Sequence, residues 1–116
     1  MKYYHIYIEY FAGDGKNAKK DDCYEKNIES LDRIKKYFAV PFLSGKTIFI
    51  SGRVVRPGSV NIFRILESEK SLDELLDEKN ASLPSGVLMW YSAENLLAGH
   101  FNGLIDITNE VMNEEQ

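Results

Sequence analysis

The sequence predicts an α+β fold, a single small domain with a mainly antiparallel sheet of about four strands and two or three helices packed on it. Three observations carry that expectation. Tyr3 to Phe11 alternates with period two, with Tyr4, Ile6, Ile8 and Tyr10 on one face and Tyr3, His5, Tyr7 and Glu9 on the other. Leu31, Ile34, Tyr37 and Phe38 recur at helical spacing, with Asp32, Arg33, Lys35 and Lys36 turned away. Two further β-rich runs, Thr47 to Ile50 and Val60 to Leu66, are set off by glycine and proline turns.

Both faces of the first strand are partly apolar, so it is expected to be central or well covered. Ala12 to Asp22, with Gly13-Asp14-Gly15 and Lys16, Lys19 and Lys20, reads as a solvated connection, a long hairpin loop or an edge. It lacks the spacing and the Ser or Thr of a phosphate loop. Asp22 to Ile28 alternates and reads as a short second strand returning on the first. Ser30 is placed to cap the helix that follows, without the acidic partner of a capping box. That helix is expected to stop near Val40, because Pro41 lacks an N–H and restricts the residue before it.

Ser44-Gly45-Lys46 reads as a turn, and Thr47 to Ile50 as a buried strand that assigns Ile48, Phe49 and Ile50, with Phe42, to the core. Ser51-Gly52 bends or ends that strand, and Arg56-Pro57-Gly58-Ser59 is a second turn. In Val60 to Leu66 the large Ile62 and Phe63 point to opposite faces, which again implies a covered sheet. Ser71 with Glu74 three residues on forms a capping-box pattern, opening a helix through Lys79. Gly86 to Tyr91 reads as a strand or as the start of the helix Ala93 to Ala98, which Ser92 is placed to cap. Gly99 to Gly103 is a loop that includes His100. Residues 1–107 read as one domain and 108–116 as a terminal helix, capped by Thr108, or a hinge to a further segment.

The chain carries 14 Lys and Arg against 18 Asp and Glu, a net charge of −4. That balance weighs against general nucleic-acid binding. The charge is divided: residues 1–64 have a net +5 and residues 65–116 a net −9. Such asymmetry can orient a partner by long-range attraction. The single cysteine, Cys23, forms no intramolecular disulfide and has no nucleophile signature around it, so it reads as an ordinary thiol in a reducing compartment. No apolar leader or membrane-length run is present, and a cytoplasmic location is expected.

His5 and His100 have no second ligand at metal spacing, so no metal or other cofactor is expected. The acidic pairs Asp73-Glu74 and Asp77-Glu78 read as solvated helix surface. The candidate anion- or partner-binding residues are Lys46, Arg53, Arg56 and Arg64. If the strands flanking Pro57-Gly58 pair with each other, Arg53 or Arg56 approaches Arg64 and the guanidinium groups form a carboxylate or phosphate site. The competing reading is a charged edge that blocks strand addition. No catalytic constellation emerges, and the chain reads as a non-enzyme.

The run Tyr37-Phe38-Ala39-Val40-Pro41-Phe42-Leu43-Ser44-Gly45-Lys46-Thr47-Ile48-Phe49-Ile50-Ser51-Gly52-Arg53-Val54-Val55, followed by Val60-Asn61-Ile62-Phe63-Arg64-Ile65, resembles small N-terminal domains of bacterial abortive-infection proteins. Those domains precede TIR-like or related effectors. Ile105-Asp106-Ile107-Thr108-Asn109-Glu110-Val111 is similar to the hinge leading into the effector. The resemblance implies a noncatalytic sensor or adaptor in antiphage defence, with a protein partner or fused effector and possible self-association. The alternative is a stand-alone immunity protein that neutralises a toxin by charge-complementary binding.

Overall fold

The alternating N-terminal segment forms β1 (Tyr3–Ala12), the central strand of a computed structural model that describes residues 1–13, 15–86, 90–99 and 103–114. The other strands among the described residues are β2 (Lys19–Ile28), β3 (Ile48–Ile50), β4 (Arg53–Val55), β5 (Val60–Ser68) and β6 (Ile105–Asp106). An antiparallel four-stranded sheet runs in the order β2-β1-β5-β6, and β3 and β4 form a separate hairpin. The α-helices among the described residues are α1 (Leu31–Ile34), α2 (Val40–Leu43), α3 (Leu72–Ala81), α4 (Ala93–Ala98) and α5 (Thr108–Glu114). This is the α+β architecture read from the sequence.

Alternation on β1 explains the layering, because a strand apolar on both faces must be covered twice. Ile6, Ile8 and Tyr10 point into one core with Ile34 and Phe38, the hairpin residues Ile48, Ile50 and Val55, and Val111 and Met112 of α5. Tyr7 points into the other, with Leu66, Leu72 and Leu75, and Leu96 and Leu97 of α4. The charge division therefore becomes partly spatial. The basic helix of Arg33, Lys35 and Lys36 covers the first face and the acidic α3 the second, while α5 brings Glu114 to the basic side, where Lys35 pairs with it at 2.7 Å.

Three local expectations need correction. β2 begins at Lys19 rather than at Asp22, taking up the end of the segment read as a loop or an edge; it is the sheet's edge, where charged side chains keep access to water while the backbone pairs with Phe11 and Ala12. The first helix runs on past Pro41 to Leu43 through a π-helical turn, Lys35–Ala39. In that turn the Val40 N–H reaches the Lys35 carbonyl, so the ladder has already shifted where Pro41 would otherwise break it, and the wider turn accommodates the ring. Phe49 is the third correction: it is 72% exposed while Ile48 and Ile50 are buried. A hairpin covered on one side only buries alternate residues. Phe42 does reach the core, with its ring 4.5 Å from that of Phe63.

The caps follow the sequence with one exchange of roles. Ser30 Oγ accepts from the Arg33 N–H, and Ser71 Oγ from the Glu74 N–H. The reciprocal capping box forms at Ser92 and Asn95, whereas the Glu74 carboxylate lies against the Ser71 hydroxyl at 3.3 Å. Thr108 is the first residue of α5 and its hydroxyl oxygen accepts from the Ile65 N–H at 2.8 Å. The alternative strand over Gly86 to Tyr91 rests largely on residues 87–89, which lie outside the described residues, as does His100.

His5 joins the sheet to α3. Between Tyr4 and Ile6 the β1–β2 register slips, and Asn27 takes a left-handed conformation at φ 58°. Its N–H donates to His5 Nδ1 at 3.0 Å, its Oδ1 accepts from the Leu72 N–H at 2.7 Å, and its Nδ2 donates to Asp73 at 2.7 Å. Because Nδ1 accepts, the neutral ring carries its proton on Nε2, which lies 2.8 Å from Ser68 Oγ. The Ser68 hydroxyl in turn donates to the Lys70 carbonyl at 2.6 Å.

Burial pushes the His5 pKa down to about 4; the Asp73 carboxylate opposes the shift and the Lys26 ammonium adds to it. The unfolded chain binds its proton near pH 6.5, so the histidine's contribution to stability is complete above that pH and is lost as pH falls to about 4. It amounts to at most about 3 kcal/mol. Urea denaturation as a function of pH is therefore expected to show stability falling between pH 6.5 and 4, with a shallower slope over that interval in His5→Gln. Asn27→Ala is expected to cost about 2 kcal/mol through left-handed strain and the lost contact at α3, with Asn27→Gly recovering the backbone part.

Candidate interaction surface

The β3–β4 hairpin is closed by Ser51-Gly52, with φ values of 51° and 76°. Two successive left-handed residues make the turn that matches the natural twist of paired strands. It sets Ile50 opposite Arg53, Phe49 opposite Val54 and Ile48 opposite Val55. Ile48, Ile50 and Val55 face the first core, and the outward pair, Phe49 and Val54, is 72% and 60% exposed. Burying an exposed aromatic against a partner removes a large apolar area from water, which makes this pair a potential anchor.

Beside Val54 lies a groove lined by Tyr10, Phe11, Ala12, Gly13, Arg56 and Ser59. Phe11 is 45% exposed, and the alternation of β1 sets its side chain on the face opposite to Tyr10 and Ala12, which pack on the hairpin side. Ser59 donates to the Arg56 carbonyl through its N–H at 2.9 Å and its hydroxyl at 2.8 Å, which fixes the turn and the base of the Arg56 side chain.

The four candidate cations are divided between two places. Arg53 turns back toward the sheet, donating to Asp21 at 2.6 Å, to the Tyr10 hydroxyl at 3.2 Å and to the Asp22 carbonyl at 3.0 Å. It anchors the hairpin to β1 and β2. Arg64 sits on the other face of the sheet, where it donates to the Leu97, Ala98 and Gly99 carbonyls at 3.1, 2.6 and 3.2 Å and closes the end of α4. Its Nε lies 3.7 Å from Asp106.

The sequence placed Arg64 near Arg53 on the condition that the flanking strands pair. Instead β4 pairs with β3, and β5 pairs with β1. Lys46 and Arg56 are exposed at the open end of the hairpin, and among the described residues neither side chain has a hydrogen-bond or ion-pair partner. Phe11, Phe49 and Val54 were not among the sequence candidates. Period-two alternation through Phe49 was the signal that could have found the outward pair.

The remaining reactive groups are held in quiet forms. Burial pushes the Cys23 thiol up to about 11, against the opposing pull of Arg53, so it stays protonated at neutral pH. Burial and the hydrogen bond to Asp22 raise the Tyr7 phenol. Among the described residues no group of three or more His, Cys, Asp or Glu is placed to hold a metal ion.

No protein-family model matches the chain, and neither the curated proteins nor the solved structures provide a match.

The inward and outward positions of the hairpin are expected to separate cleanly on mutation. Ile50→Ala should cost about 2–4 kcal/mol in chemical denaturation, and Phe49→Ser and Val54→Ser should each stay within about 0.5 kcal/mol of the parent.

Proposed function

We propose that the chain is a noncatalytic sensor or adaptor, a protein-interaction module of a bacterial antiphage defence protein acting in the cytoplasm. The observation that carries this reading is the outward pair Phe49 and Val54, edged by Arg56. Apolar anchors with a charged rim are the composition of a protein-binding surface. The buried neutral His5 and the protonated Cys23 fit a role without catalysis. Among the described residues no helix is long and apolar enough to cross a membrane, and the net negative charge fits a protein partner better than a nucleic acid.

Affinity copurification from phage-infected and uninfected cells tests this reading. A specific protein recovered with the parent chain should be lost with the Phe49→Ser, Val54→Ser double variant, and deletion of the segment should abolish defence. Recovery of no partner, together with undisturbed defence after deletion, overturns it.

The charge division between the faces of the sheet favours a second reading, a toxin-neutralising immunity protein, since complementary fields accelerate association and select partners. A toxin gene immediately upstream supports that alternative. A reading frame that continues from this segment into an effector excludes it.

A further inference from the structure

We propose that the free edge of β4 takes up an extended acidic segment of a partner protein as an added strand, with a carboxylate of that segment on Arg56. This deepens the interaction-module reading and rests on it.

A two-residue hairpin turn is flanked by a pair that exchanges both backbone hydrogen bonds, here Ile50 and Arg53, so the next pair, Phe49 and Val54, does not. The Val54 N–H and C=O consequently point away from β3, toward the groove shared with Phe11, and among the described residues neither has a hydrogen-bond partner. An extended chain can bond both groups, as in recognition by strand addition. Its alternate side chains would then fall on Val54, whose exposed apolar surface is otherwise uncovered.

The groove is also edged by a basic side chain. Arg56 lines the same groove, two residues beyond Val54, whereas Arg53 is turned back onto Asp21. Lys46 lies at that end of the hairpin, and Lys19 pairs in register with Ala12, which lines the groove. Among the described residues none of these three pairs with a carboxylate. A guanidinium at the end of an open strand edge is suited to hold a carboxylate through two parallel hydrogen bonds. Nucleic acid is the weaker fit, because it offers no backbone donor–acceptor repeat to match a strand edge.

The test is an NMR titration of the labelled full chain with three probes: a capped hexapeptide Val-Thr-Val-Thr-Glu-Glu, the same peptide ending Gln-Gln, and a single-stranded oligothymidine. The Glu peptide should shift the Phe11, Val54 and Arg56 amides, binding roughly fivefold or more tightly than the Gln peptide. Arg56→Gln, whose side chain has no structural partner among the described residues, should remove that preference.

Equal binding of the two peptides at these amides overturns the acidic specificity and leaves the apolar surface standing. No shift at Val54 with either peptide overturns strand addition, while the copurification result judges the module reading separately. Stronger shifts of the same amides by oligothymidine overturn the proposal in favour of a nucleic-acid site.

Discussion

Everything in this fold depends on β1 being buried on both faces and paired along both edges. Ile6 and Ile8 on one side and Tyr7 on the other leave the strand no solvated face, and β2 and β5 satisfy its backbone. A strand so placed forces a layer of structure onto each face of the sheet, since an apolar sheet face left open would be costly in water. The helix from Leu31 and the β3–β4 hairpin cover one face, and α3 and α4 cover the other.

The cost of this arrangement is a polar side chain at the centre of the strand. His5 is fully buried, and its solution is a chain of hydrogen bonds in which each donor has one acceptor, from the Asn27 N–H through the ring to Ser68 and the Lys70 carbonyl. The same Asn27 side chain holds the start of α3. Proton placement in the sheet is thus linked to the seat of a helix in the layer above it.

How much of this the sequence revealed depends on whether the deciding contact was local. Strand β1, the helix caps at Ser30 and Ser71, and the need for cover on both faces all follow from spacing within a few residues. The pairing partner of β4 did not, because Val54 and Val55 carry no mark of whether they pair backward to β3 or forward to β5. The left-handed turn at Ser51-Gly52 settles it, and with it the separation of Arg53 from Arg64. Phe49 misled for a related reason: a short apolar run looks the same in a strand buried on both faces and in one buried on a single face. Pro41 misled because its usual effect on a helix assumes an α-helical turn before it, and a π-helical turn is not encoded by any single residue.

The hairpin is joined to the rest of the sheet by side chains, namely the inward apolar residues, the Arg53 contacts and the Ser51 N–H to Glu25 at 3.4 Å, and among the described residues no backbone ladder runs between β3 or β4 and the four-stranded sheet. A unit attached in this way can detach by losing packing alone, leaving the β2-β1-β5 ladder intact. The protein therefore has a built-in order of opening, in which the surface carrying Phe49 and Val54 exchanges its amide hydrogens through a partial, lower-energy excursion and β1 only through global unfolding.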